Sequence, residues 1–282
     1  MPCPIVPGMN DEQPFPAELA KLFEDGTGTR ALAVPLPDGR LANTAEGDGP
    51  PGLWMTEDAV PTGLWAELHA EHSRSGLWPL LLGALRSLPG VEDDFRPWES
   101  GELFPEWVTP PNLHDPASVL AGWWDDYARC DDTTAPFRRW PGLAPAMRLA
   151  ADPDEVACEY ATRLPSRFPS MRLGLIAADR GADALAAAGW NGPVNYTNDT
   201  GEIAAVLRSW EDRFGVRVVG AGFADLYLSV AAPPTTLEEA IHVAAEHFAF
   251  CPDNIWQNSH PHTLIGYAET LVGRTSWTFW WD

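Results

Sequence analysis

The chain has 282 residues, 45% hydrophobic and 21% charged, a balance that excludes a disordered polymer and leaves room for one large or two modest domains. Its 40 acidic residues outnumber 18 basic ones, for a formal net charge of -22. That argues against nucleic acid or anionic membrane as a partner, since both are held by basic surface, and leaves a basic protein as the partner the charge would suit.

The first sixteen residues, MPCPIVPGMNDEQPFP, are proline-rich and read as a loose arm. They have neither a basic start nor an apolar core, so they do not read as a secretory signal. No run of about 18 apolar residues follows, so no membrane-spanning helix is expected. Cys3, Cys130, Cys158 and Cys251 lie far apart, which suits reduced thiols in a cytoplasm better than a disulfide framework.

Residues 17–110 read as an N-terminal α/β region. A short helix ends at Gly26, a strand covers Thr29 to Leu36, and Asp38 to Gly52 is a turn-rich loop. Gly63 to Gly76 carries Leu64, Trp65 and Leu68 at helical spacing and runs into LWPLLLGAL, a buried strand. From Pro89 to Pro116 charges, prolines and the rings of Phe95, Trp98 and Trp107 mix without period, which predicts an irregular connection.

Residues 115–282 read as a C-terminal α/β domain. Asp115, followed by Pro116, caps a helix through Arg129, and Asp-Pro starts another over Asp152 to Leu164. Met171 to Ala178 is a strand, and Ala182 to Trp190 a short helix stopped at Gly189. Thr200 caps an amphipathic helix with Ile203, Val206, Leu207, Trp210 and Phe214 on one face. VRVVGAG and DLYLSVA read as a hairpin, Thr236 starts a helix, CPDN is a turn, HTLIGYAETLVG is a helix and SWTFWWD a terminal strand. The fold class is α+β (or α/β): a mixed β-sheet flanked by helices, with the aromatic C-terminal strand in the sheet.

The segments LGLIAADRGADALAAAGWNGPVN, AAVLRSWEDRFGVRVV, AAEHFAFCPDNIWQ and TLIGYAETLVGRTSWTFWWD resemble the domain of unknown function 4253 family of bacterial proteins, over roughly Met171 to Asp282. GLWAELHAEHSRSGLWPLLL is similar to the upstream part of actinobacterial members. The resemblance implies a bacterial cytoplasmic domain and brings no activity, cofactor or catalytic residue with it.

Polar, thiol and aromatic groups crowd into Glu246 to Asp282. His242, Glu246 and His247 spell H-x-x-x-E-H, but the two histidines lie about 140° apart around a helix and do not share a face. His242 and Glu246, four apart, predict a surface pair. His247 with His260 or His262 is the weak metal alternative, and no metal or other cofactor is expected. His247 and Cys251 are four apart at a helix end, with Asp253 or Asn254 placed to orient the imidazole, which makes them the candidate catalytic set. Against it, a helix C-terminus disfavours a thiolate, and Phe248, Phe250 and Pro252 suggest burial, so a hydrogen-bonded structural corner is the alternative. Trp277, Phe279 and Trp281 should point to one face of the last strand and Thr278 and Trp280 to the other. Glu246, Gln257, Trp280 and Trp281 are the candidate binding residues.

GTGTR and GAG lack the spacing of phosphate loops, G-x-S-x-G is absent, and the Asp pairs do not make a calcium loop. The reading that remains is a cytoplasmic protein-binding module, immunity- or antitoxin-like by analogy. The alternatives are a hydrolase-like enzyme using Cys251 and His247, and a small-molecule-binding domain lined by Trp280, Trp281 and the CPDN corner.

Overall fold

The computed structural model describes residues 15–23, 28–47, 49–85, 93–128, 132–258 and 260–282. Most of the expected arm, the helix end at Gly26, the end at Arg129, and Cys3 and Cys130 lie outside them. A 3-10 turn at Leu19–Leu22 stands where the first helix is expected.

Thr29 to Leu36 forms no strand. Pro35 and Pro37 remove two backbone donors, and the Ala31 N–H goes to the carbonyl of Arg74 rather than to a ladder. The first strand is instead β1 (Gly39–Ala42), inside the expected loop, and it pairs antiparallel with β2 (Leu53–Thr56). Gly39 is required there: a Cβ would lie 2.1 Å from the Trp54 ring.

Next come α1 (Leu64–Ala70), α2 (His72–Ser75) and β3 (Leu77–Leu82), whose six residues are all buried. The irregular stretch holds two 3-10 turns, Pro105–Trp107 and Pro111–Leu113. Helix α3 (Pro116–Tyr127) starts at Asp115, whose carboxylate accepts the Ser118 N–H, and α4 (Pro153–Arg167) starts at Asp152, which accepts from Asp154 and Glu155.

Strand β4 (Arg172–Ala177) is followed by α5 (Ala184–Ala188) and α6 (Thr200–Phe214). The cap of α6 is Asp199, which accepts the Gly201 N–H, and not Thr200, whose hydroxyl donates to the Trp190 carbonyl. The hairpin β5 (Val216–Ala221) and β6 (Asp225–Val230) forms as expected. Helix α7 (Leu237–Phe250) opens on a Thr236–Glu239 capping box. The CPDN segment folds into one helical turn, α8 (Asp253–Trp256), before α9 (Leu264–Leu271) and β7 (Ser276–Trp280).

The seven strands among the described residues form one mixed sheet in the order β1-β2-β4-β3-β5-β6-β7, so the fold is α+β with the aromatic terminal strand at one edge. β3 lies antiparallel to β4 and parallel to β5, and every other pair is antiparallel. Strands of the N-terminal region thus sit in the same sheet as those of residues 172–280. Helix α4 packs on β5 and β6, with α1 beside it on β3. On the other face, Trp210 of α6 stacks on Phe279 at 5.5 Å, and Phe250 of α7 meets Phe279 edge to face at 5.0 Å. Trp98, Trp124, Trp190, Trp210 and Trp277 are among the largest fully buried side chains. Each large apolar group of this kind contributes roughly 1.5–3 kcal/mol by leaving water.

Candidate functional site

The terminal strand alternates as its sequence predicts. Trp277, Phe279 and Trp281 are buried against α6 and α7, Thr278 is exposed and Trp280 is half-buried. Being at the sheet edge, β7 has only one strand neighbour, β6, which leaves outward backbone groups at Thr278, Trp280 and Asp282. The CPDN corner takes them up. Asn254 Nδ2 donates to the Thr278 carbonyl at 2.9 Å, the Cys251 thiol donates to the Trp280 carbonyl at 3.1 Å, and Asp253 Oδ2 accepts the Asp282 N–H at 3.0 Å. Three side chains within four residues therefore stand in for the missing strand. Asp253 also accepts from the Tyr196 hydroxyl at 2.6 Å and from Gln257 at 2.9 Å. Burial, then the bond to Asp253, pushes the Tyr196 phenol up.

The same corner fixes His247. Asn254 Nδ2 has a second hydrogen, and it goes to the Tyr267 hydroxyl at 3.1 Å. The same hydroxyl lies 3.0 Å from His247 Nδ1 and is its hydrogen-bond partner. Burial alone pushes the imidazole pKa down to about 3. The ring lies in an aromatic cage, 4.4 Å from Trp277 and 4.8 Å from Phe279, both edge to face. Nε2 has no hydrogen-bond partner among the described residues.

His247 and Cys251 consequently do not pair through their side chains: the imidazole serves Tyr267, and the thiol serves Trp280. Burial pushes the thiol up, the opposite of what a nucleophile needs. The rings of His260 and His262 meet at a tilt, 4.5 Å apart, on the exposed loop before α9, whereas His247 is buried. Among the described residues no group of three or more His, Cys, Asp or Glu is placed to hold a metal ion.

The expected surface pair of His242 with Glu246 is not formed. Glu246 is fully buried, and it accepts two bonds from Arg213 (2.7 and 2.6 Å), one from the Trp210 indole (2.8 Å) and one from the Ala144 N–H (2.7 Å). Arg213 in turn donates to the Ala144 carbonyl at 2.7 Å. This carboxylate ties α6, α7 and the segment around Ala144 together. His242 rests instead on the Phe137 ring, 5.0 Å away. Trp281 is buried likewise: it is 2% exposed on the helix-covered face, with its indole bonded to the Phe250 carbonyl at 3.2 Å.

Across the open side of β7 lies a cleft of about 760 Å³. Helix α4 lines it with Tyr160, Leu164 and Arg167, and α9 and the residues after it with Tyr267, Leu271 and Arg274. Asn254, Thr278 and Trp280 lie between, and Tyr227 and Asp225 of β6 complete the wall. Tyr160, Tyr227, Tyr267 and Asn254 are all buried, so the floor is polar at its tips and fixed by packing. Of the binding residues singled out from sequence, Trp280 alone borders this cleft; Gln257 is exposed beside Asp253 and Asp282.

Residues 172–282 match the model of a family described as "Domain of unknown function (DUF4253)". No curated protein and no solved structure matches the chain. The matched stretch holds the corner, the buried histidine and β7, while the α4 wall lies before it.

A second cleft, of about 740 Å³, lies between α1, α4 and the end of α6. Its charges largely answer one another: Arg180 pairs with Glu211 and Asp212, and Arg217 with Asp154. His69 borders it, stacked on Trp65 at 4.8 Å and lowered in pKa by burial. Sequence reading missed the α4 wall of the β7 cleft altogether. The available signal was a shared spacing, Tyr-x-x-x-Leu-x-x-Arg, at 160–167 on α4 and again at 267–274, from α9 to just past its end.

Proposed function

We propose that the protein is a binding module that takes a small organic molecule in the β7 cleft. The observation that carries this reading is the cleft itself: its volume is in the range of small-molecule sites, and its floor of buried tyrosines and one asparagine is held by hydrogen bonds and packing before any ligand arrives. A non-enzymatic role is supported by the engagement of Cys251 and His247 in separate structural bonds. Screening a metabolite library by thermal shift tests it. Compounds that raise the melting temperature of the wild type and lose the effect in Trp280→Ala support the reading; hits that Trp280→Ala binds equally well count against it.

Partner binding is a second reading, favoured by one observation. Trp107 is 47% exposed and Leu113 71% exposed, on two turns of the irregular stretch. The stretch is held firmly: Phe104 stacks on Trp107 at 4.1 Å, and the Thr109 N–H donates to Asp199 at 2.9 Å. A partner captured by the wild type and released by Trp107→Ala with Leu113→Asp would support it; equal capture by the variant would remove it.

A further inference from the structure

We infer that the β7 cleft selects a ligand carrying an oxyanion, a carboxylate or a phosphate, held from both sides by Arg167 and Arg274. The inference rests on the cleft being a ligand site and assigns its chemistry.

The two walls repeat one pattern. Tyr160, Leu164 and Arg167 fall at i, i+4 and i+7 on α4, and Tyr267, Leu271 and Arg274 follow the same spacing through α9 and just past its end. On α4 such spacing puts all three side chains on one helix face; Arg274 follows the end of α9, past Gly273, and all six residues line the cleft. Each wall presents a buried phenol, a buried leucine and an exposed guanidinium.

Charge makes this placement informative. With 40 acidic residues in the chain, arginines have carboxylates at hand, and Arg172, Arg180, Arg208, Arg213 and Arg217 each hold one. Arg167 and Arg274, like Arg138, Arg139, Arg148 and Arg163, form no ion pair among the described residues, and of these six only Arg167 and Arg274 line the cleft. Asp225 is the one carboxylate among the described lining residues, at the first position of β6. A planar guanidinium on either side suits the two or three oxygens of a carboxylate or phosphate. The tyrosines and Trp280 suit a ring attached to it. An added peptide strand is the poorer occupant, because Asn254 and Cys251 already occupy the Thr278 and Trp280 carbonyls.

Four probes with one ring and different heads separate the possibilities: phenyl phosphate, benzoate, benzyl alcohol and benzylamine, each titrated at low salt while tryptophan fluorescence is followed. The expected result is saturable binding of phenyl phosphate or benzoate. It should weaken about tenfold or more in Arg167→Gln and in Arg274→Gln, and stay unchanged in Arg163→Gln, which shares α4 but does not line the cleft. All three arginines are exposed, so the variants should melt with the wild type. Binding of benzyl alcohol or benzylamine as tight as that of the anions, insensitive to both arginine changes, would overturn the oxyanion and leave the cleft as a ligand site. Failure of both anions at millimolar concentration would also overturn it. A library that yields no Trp280-dependent ligand would remove the cleft reading itself.

Discussion

Replacing Glu246 by Gln tests whether this residue is a structural tie. The side chain keeps its shape and loses its charge. The wild-type carboxylate accepts four hydrogen bonds, two of them from an arginine whose side chain is only 14% exposed. Glutamine has one acceptor oxygen, and its amide nitrogen would face donors that need an acceptor. One such donor is the Arg213 guanidinium, left charged and largely buried. Breaking a buried pair on one side costs about 3–5 kcal/mol, because the surviving charge is uncompensated. The assay is urea denaturation at pH 7, comparing midpoints at equal slope, with Glu238→Gln at the exposed start of the same helix as control. The control should stay within about 0.5 kcal/mol of wild type. A Glu246→Gln cost below about 1 kcal/mol would refute the reasoning and reopen Glu246 as a ligand-facing group.

His247 sets an acid-side dependence. Its folded pKa of about 3 lies below the ordinary 6.5, so the unfolded chain binds a proton the folded one does not between those values. The contribution is complete above about pH 6.5 and is lost as pH falls towards 3, by an amount on the order of 4 kcal/mol. Relative to wild type, His247→Phe should show a shallower loss between pH 6.5 and 4 in denaturation curves; parallel slopes would contradict the burial argument. Asn254→Leu leaves the Thr278 carbonyl without its side-chain partner and takes one of two bonds from the Tyr267 hydroxyl, at about 2–3 kcal/mol for two lost bonds, and a melting temperature equal to wild type would show that water replaces both. Alkylation at neutral pH followed by peptide mapping should label Cys158, which is partly exposed, well before Cys251, which is fully buried. Fast labelling of Cys251 in the native protein would restore it as a candidate nucleophile.

Local chemistry made part of this fold readable. Asp115, Asp152 and the Thr236–Glu239 pair mark helix starts because their oxygens accept N–H groups two or three residues on. The face of α6 follows from the spacing of Ile203, Val206, Leu207, Trp210 and Phe214, all buried. The alternation of the last strand was legible for the same reason. Where partners are distant, the sequence misleads. Thr29 to Leu36 has strand-like composition, but Pro35 and Pro37 lack donors and the Ala31 N–H goes to distant Arg74, while the polar-looking start of β1 pairs because LWMT of β2 lies opposite. Glu246 looks like the partner of His242 four residues away, yet its real partners are 33, 36 and 102 residues distant. The cleft is of the second kind, since its walls are helices about a hundred residues apart in sequence, brought to one edge by the strand order.

The ligand-binding claim is tested most directly by the indole N–H resonances of ¹⁵N-tryptophan-labelled protein titrated with phenyl phosphate, with the Trp280 signal assigned by its loss in Trp280→Phe. The expected result is a saturable shift of Trp280, which borders the cleft, while the deeply buried Trp98 and Trp190 stay in place. A Trp280 signal that does not move while other indoles do would contradict the assignment of the β7 cleft as the binding site.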